Sequence, residues 1–225
     1  MTDEQKGIIE NLRKAIFEYN AKLAKESATQ AIEKVIDPVE AMNVMMVAIR
    51  EIGDAFEKGE LWLPDLVGAS DAMQAASPVL EEEMKRKGVQ KESLGTVVAG
   101  TVFGDIHSIG KTMVTTLLTA AGFHVEDLGV NVKAEAFIEA IQKHGADLLA
   151  MSALMTTTMA EQEKVIEALK REGIRERVKV MVGGAAVTDE FAEDIGADGF
   201  EPTAPGAVEL AKKLLGRNTE ERAKK

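Results

Sequence analysis

Gly104-Asp105-Ile106-His107-Ser108-Ile109-Gly110-Lys111 is the stretch on which the reading of this chain depends. Before it runs Thr96-Val97-Val98-Ala99-Gly100-Thr101-Val102, apolar and β-branched, with the character of a buried strand. After it, Met113-Val114-Thr115-Thr116-Leu117-Leu118 has the character of a helix body. The stretch is therefore a loop at the carboxyl end of a strand, where ligands bind in an open α/β sheet. Its two glycines let the backbone turn sharply and approach a ligand closely. An Asp two residues before a His can hold one imidazole nitrogen and leave the other for a metal. Taken alone, the same residues also suit a plain strand-to-helix turn, with Asp105 capping the helix and His107 merely exposed. A phosphate loop is disfavoured, because the Gly-x-Gly-x-x-Gly and Walker patterns are absent.

The rest of the chain bounds what that loop can serve. At 225 residues it can bury a real core, and 45% hydrophobic with 29% charged residues is ordinary for a globular protein. The net charge of −11 argues against nucleic acid as a partner. No apolar run reaches the ~20 residues of a membrane span, and the amino terminus, Met1-Thr2-Asp3-Glu4, is acidic rather than signal-like. With no Cys there is no disulfide framework, thiolate metal site or thiol nucleophile. A cytoplasmic protein without membrane contact is expected.

Taken in order, residues 3 to about 85 predict helices. Ile8, Leu12, Ala15, Ile16 and Tyr19 recur at helical spacing up to a break at Tyr19-Asn20, and Leu23, Ala31, Ile32 and Val35 suggest a second helix. Asp37-Pro38-Val39-Glu40 is a start signal, with Asp at the N-cap and Pro at the first helical position. A third helix follows to Gly59, and Pro64 opens a fourth with Leu66, Met73, Ala76, Leu80 and Met84 inward. Four short-looped amphipathic helices predict a four-helix bundle over 1–88. The charged run from Lys85 to Ser93 reads as a linker. From 95 onward strands and helices alternate five times, which predicts a doubly wound, flavodoxin-like parallel sheet of five strands over 89–216. Residues 217–225 read as a charged tail. In the flavodoxin order the His107 loop, Ser152 after the third strand and Gly183-Gly184 after the fourth all face one crevice. Lys111 reads as a solvated or helix-start residue, and His124 and His144 as ordinary element-end residues.

Asp105-x-His107-x-x-Gly110, Ser152-x-Leu154 and Gly183-Gly184, in that order, resemble the three-part signature of the cobalamin-binding domain of B12-dependent methyltransferases and mutases. The resemblance implies a cobalamin or related cobamide as cofactor, with His107 as the lower axial cobalt ligand in place of the cofactor's own dimethylbenzimidazole. It makes Asp105 the acceptor of the His107 proton, and sets Ser108, Ile109 and Gly110 against the cofactor. Ser152, Leu154 and Thr156 would line the channel for the displaced nucleotide tail, which Gly183 and Gly184 would let pass close to backbone. The related methionine synthase domains complete a relay with a hydroxyl a few residues past the Ser-x-Leu; here that residue is Thr158 rather than Ser. Thr158 also suits a helix N-cap with Glu161 three residues on.

The helical half resembles the cap of the methyltransferase members. Phe56-Glu57-Lys58-Gly59-Glu60-Leu61-Trp62-Leu63-Pro64-Asp65-Leu66 is similar to the cap stretch, with Trp62 where Phe is commoner. It implies that Phe56, Trp62, Leu63 and Leu66 cover the methyl–cobalt bond; each taken alone also suits bundle core. Over roughly residues 5 to 215 the chain is similar to the free-standing corrinoid proteins of methylamine, methanol and glycine-betaine systems. That resemblance implies a methyl carrier, not catalytic by itself, with methylcobalamin as its loaded form. Its partners would be a substrate-specific methyltransferase, a second methyltransferase delivering to a thiol or tetrahydrofolate, and a reductive activase. A cobalamin-binding sensor and the cobalamin subunit of a B12-dependent mutase are the alternatives.

Overall fold

The computed structural model describes residues 1–88 and 93–217; residues 89–92 of the charged linker stretch and nearly all of the tail lie outside them. The chain divides into two compact units. The first is all helical: α1 (Asp3–Phe17), α2 (Ala21–Glu33), α3 (Pro38–Glu57) and α4 (Leu63–Arg86). Each start has a local cause. Thr2 and Gln5 form a reciprocal capping box on α1, and Asn20 Oδ1 accepts from Leu23 N on α2 at 3.0 Å. Asp37 caps α3 ahead of Pro38, through Val39 N at 2.9 Å. At α4 the side chain of Asp65 reaches back to the N–H of Trp62, 2.8 Å away. The inward stripes are Ile8, Leu12, Ala15 and Ile16 on α1 and Leu66, Ala69, Met73, Ala76 and Leu80 on α4, all buried. Against the predicted helices, Tyr19 closes the α1–α2 turn in the left-handed region and Val35 lies exposed beyond α2.

The second unit alternates β1 (Thr96–Thr101), α5 (Ile109–Ala121), β2 (His124–Asp127), α6 (Ala134–His144), β3 (Leu148–Ser152), α7 (Thr156–Arg171), β4 (Lys179–Gly183), α8 (Asp189–Ile195), β5 (Gly199–Phe200) and α9 (Ala204–Leu214). The sheet is parallel throughout in the order β2-β1-β3-β4-β5, the flavodoxin order. The order reverses between β1 and β3, so the loops leaving those strands diverge and open a crevice at their carboxyl ends.

The two faces of this sheet are filled differently. On one, Val98, Leu149 and Val180 form a cross-strand row, continued by Met151 and Val182. These join Phe137, Ile138 and Ile141 of α6, Val165, Ile166 and Leu169 of α7 and Ile195 of α8 in one buried cluster. On the other face the matching row is Ala99, Ala150 and Met181, and the next toward the crevice is Thr101, Ser152 and Gly183. Small side chains at those registers leave α5 and α9 standing off the sheet, and a space opens between them.

Candidate functional site

The loop after β1 is fixed from several sides. Thr101 Oγ1 donates to the carbonyl of His107 at 3.0 Å, Asn131 N donates to the carbonyl of Asp105 at 2.9 Å, and Gly104 N donates to Asn131 Oδ1 at 2.8 Å. Ser108 stands exposed just before α5, and its carbonyl accepts the first helical bond from Thr112 N.

Asp105 is wholly buried, and its carboxylate takes four hydrogen bonds. Oδ1 accepts from His107 N at 3.0 Å and meets His107 Nδ1 at 2.8 Å; Oδ2 accepts from Leu154 N at 2.8 Å and Thr158 Oγ1 at 2.7 Å. Burial by itself pushes this carboxyl upward; the His107 N–H, the Thr158 hydroxyl, the Leu154 N–H and the His107 ring outweigh it and hold the group far below the usual carboxylate range. Its stabilising contribution is therefore complete above the ordinary carboxylate value of about 3.9 and is lost as pH falls below that toward the folded value. An ionised carboxylate only accepts hydrogen bonds, so Nδ1 carries the His107 proton and Nε2 keeps its lone pair for something else. The His107 side chain is 47% exposed, in a rim of solvent-facing Ile106, Ile109 and Leu154.

Beside it opens a cavity of about 540 Å³, within the range of small-molecule sites. His107, Gly110 and Ser152 lie on it at the crevice, Ala99, Ala150 and Met181 supply its sheet wall, and Val114, Phe200 and Ala207 help close it. Gly183 and Gly184 line it too. Gly184 has φ +120°, and a Cβ there would stand 1.9 Å from the Ala153 carbonyl oxygen. The protein's own β3 loop thus requires this glycine before any ligand arrives. Gly110 is the opposite case: it sits in the first turn of α5, and a Cβ would meet no protein atom within 4 Å.

The predicted residues fall into two sets. Asp105, His107, Leu154 and Thr158 share one hydrogen-bonded cluster, and Gly110, Ser152, Leu154, Gly183 and Gly184 line the cavity. Ser108 and Ile109 flank the loop at the surface, and Thr156 is exposed in the first turn of α7. In the helical unit Trp62 is 75% exposed, Phe56 and Leu63 are half-buried, and Leu66 is fully buried on the inward face of α4. Two readings need correction. Lys111 is not solvated: only 7% of it is exposed, and its ammonium pairs with Asp127. Thr158 is not an N-cap, because α7 already begins at Thr156, and its hydroxyl is turned inward to Asp105. The cavity walls went unforeseen, although alternate small residues in otherwise bulky strands, Ala99 and Ala150, were the available signal.

Thr158→Val, nearly isosteric, should leave Oδ2 of Asp105 with a single donor. Denaturant unfolding should show a loss of about 1–3 kcal/mol, restored by Thr158→Ser; no loss would mean the hydroxyl contributes nothing to the carboxylate.

Among the described residues no three His, Cys, Asp or Glu gather as a metal cage. His107 offers one imidazole nitrogen as a metal donor, and the mostly apolar cavity beside it suits a flat apolar group. The comparisons agree with that chemistry. One B12 binding domain model matches residues 95–211, and a second model of the same description matches 8–81. A corrinoid protein of Desulfitobacterium hafniense is 41% identical over 212 residues, 93% of this chain and 98% of that one. The trimethylamine corrinoid protein of Methanosarcina barkeri is 44% identical over 209 residues, covering 92% and 96%. The crystal structure of the methanol:cobalamin methyltransferase complex from Methanosarcina barkeri matches all of this chain and 85% of its own, with a TM-score of 0.79 and 32% identity. With both halves matched, and with relatives above 40% identity over nearly the whole chain, the chain belongs to the B12-binding family of corrinoid proteins.

Proposed function

We propose that this protein carries a methyl group on the cobalt of a bound cobamide, taking it from a substrate-specific methyltransferase and yielding it to a second one whose acceptor is a thiol or tetrahydrofolate. The observation that carries the reading is the His107 ring, clamped through Nδ1 by buried Asp105, with Nε2 free at the mouth of an apolar cavity. The names of the relatives, corrinoid proteins for trimethylamine among them, favour a carrier over a sensor or a mutase subunit. Similarity to a methyltransferase complex supports a methyltransferase as partner.

When bound, the cobamide supplies a cobalt that accepts and releases methyl groups; the chain supplies its surroundings. His107 would hold the metal through Nε2. Asp105 keeps the Nδ1 proton in place and fixes the orientation of the ring, and Thr158 and the Leu154 N–H keep Asp105 charged. The slot between α5, α9 and the Ala99–Ala150–Met181 row would receive the nucleotide tail. The stretch from Phe56 to Leu66 would shield the opposite face, with Trp62, Phe56 and Leu63 as the accessible members and Leu66 anchoring the helix beneath them. Nothing in the chain offers a methyl acceptor of its own, since it contains no Cys.

The test is a two-partner assay read by the visible spectrum of the reduced holoprotein. Methylamines, methanol or betaines alone should leave it unchanged. A cognate methyltransferase should convert it to the methylated form, and a second should return it. Turnover by the isolated holoprotein would overturn the carrier reading. The shield has its own check. Trp62→Ala with Leu63→Ala should keep cobamide binding while photolysis of the methylated cofactor accelerates; an unfolded bundle with unaltered photolysis would return both residues to simple packing.

A further inference from the structure

The cavity beside His107 has one acidic wall. Glu201, just past β5, lines it together with Thr203, among side chains that are otherwise mostly apolar or small. Of the other charged groups on that wall, Lys111 is committed to Asp127 and His107 to Asp105. Glu201 is half-committed. Its Oε1 accepts from Thr203 Oγ1 at 3.2 Å, and that same Thr203 oxygen caps α9 by accepting from Gly206 N at 3.1 Å. Its Oε2 has no protein donor among the described residues. No ion pair within 4 Å involves Glu201 there.

The sequence has made room for this arrangement. A Cβ on Gly206 would lie 2.2 Å from Glu201 Oε1 and 2.3 Å from its carboxyl carbon, so the side chain lies folded across the first turn of α9. A Cβ on Gly183 would stand 3.2 Å from the Glu201 backbone carbonyl, so the residue is also held close to the end of β4. A carboxylate seated this way, with one oxygen tied and the other offered, is a fixed hydrogen-bond acceptor on an apolar slot.

Resting on the reading that the nucleotide tail enters this slot, we propose that Glu201 is a specificity-determining residue for the lower base of the cobamide, selecting a base whose ring edge carries a hydrogen-bond donor, an amino or hydroxyl group, over dimethylbenzimidazole, whose methylated edge has none. A donor meeting the free Oε2 gains a charge-assisted hydrogen bond, while a methyl group there takes the carboxylate out of water with nothing in return. The slot's apolar walls bind any flat base by area; the carboxylate discriminates among them.

Equilibrium binding, followed by the visible spectrum, decides the matter with four probes: adeninylcobamide, hydroxybenzimidazolylcobamide, dimethylbenzimidazolylcobamide and cobinamide, which has no nucleotide tail. The wild-type protein should bind the first two about 10-fold or more tighter than the third. Glu201→Ala should bring the three together while retaining affinity for the dimethylbenzimidazole form. Glu201→Gln, which keeps an acceptor but not the charge, should fall between and guards against a variant that merely folds poorly. Equal binding of the three complete cobamides by wild type, or a preference unmoved by Glu201→Ala, overturns the assignment. Cobinamide binding as tightly as the complete cobamides would overturn the tail-slot reading itself.

Discussion

If His107 holds the cobalt as proposed, replacing it by Ala should remove that nitrogen ligand while the cofactor stays bound through the rest of the site. The visible spectrum of the holoprotein should shift to that of a water-ligated or four-coordinate corrinoid, and added imidazole should restore the nitrogen-ligated form. The reason is geometric: among the described residues His107 is the ionisable side chain on this crevice with an uncommitted nitrogen, because Lys111 is paired with Asp127 and Asp105 is buried behind the ring. Asp105→Asn should retain the bond but weaken it, within the roughly 10–100-fold range of changes to the group behind a metal ligand. An unchanged spectrum in His107→Ala would remove His107 from the ligand role and leave the Asp105 cluster as a loop clamp only.

Gly184→Ala should be among the most damaging single-methyl additions in the α/β unit. With φ at +120° the backbone is in territory that side chains avoid, and the new Cβ would sit 1.9 Å from the Ala153 carbonyl oxygen. Ala153 is fully buried and its N–H donates to the Gly183 carbonyl at 3.0 Å, so it cannot give way alone. The next residue, Leu154, carries the N–H that bonds Asp105. A displaced Ala153 therefore loosens the carboxylate behind His107 as well. Strain and crowding together should cost about 2–5 kcal/mol in denaturant unfolding, and axial ligation should weaken with it. Gly110→Ala supplies the contrast. Its methyl meets no protein atom, and Ala is the better helix residue by about 1 kcal/mol, so the cofactor-free protein should be no less stable. Cobamide affinity should nevertheless fall, because the space over Gly110 would belong to the ligand. If Gly110→Ala binds as well as wild type, that glycine has no part in the site.

Much of this was visible in the residues themselves. The helix starts at Asp37-Pro38 and Asn20 follow from capping chemistry that acts over three or four residues, and the strand runs at 96–101 and 148–152 follow from β-branched and apolar content. Local signals of this kind are carried by neighbours in sequence. The crevice was legible because alternating elements with right-handed crossovers give a doubly wound sheet, and the flavodoxin order expected of it is the one found. What stayed hidden depends on pairing at a distance. Lys111 reads as solvated until β2 brings Asp127 beside it, and Thr158 suits both a relay and a cap until its hydroxyl is found on Asp105, 53 residues earlier. Glu201 gave no local sign at all, because its meaning comes from which wall of which cavity it occupies. Gly184 was expected to clear a path for a ligand and proves to be required first by the Ala153 carbonyl.

The alanine row joins cofactor supply to the lifetime of the chain. Along Ala99, Ala150 and Met181 the sheet borders the cavity, whereas Val98, Leu149 and Val180 on the reverse face lie in the filled core, so a flat apolar group entering the cavity adds apolar burial beyond that of the chain alone. Folding and loading then share one equilibrium: free cofactor at a hundred times its dissociation constant adds about 2.7 kcal/mol to the folded state, a gain that a melting curve recorded across a cobamide titration would display. Cofactor-free chains should therefore open more often than loaded ones, which limited proteolysis of the two forms side by side would read.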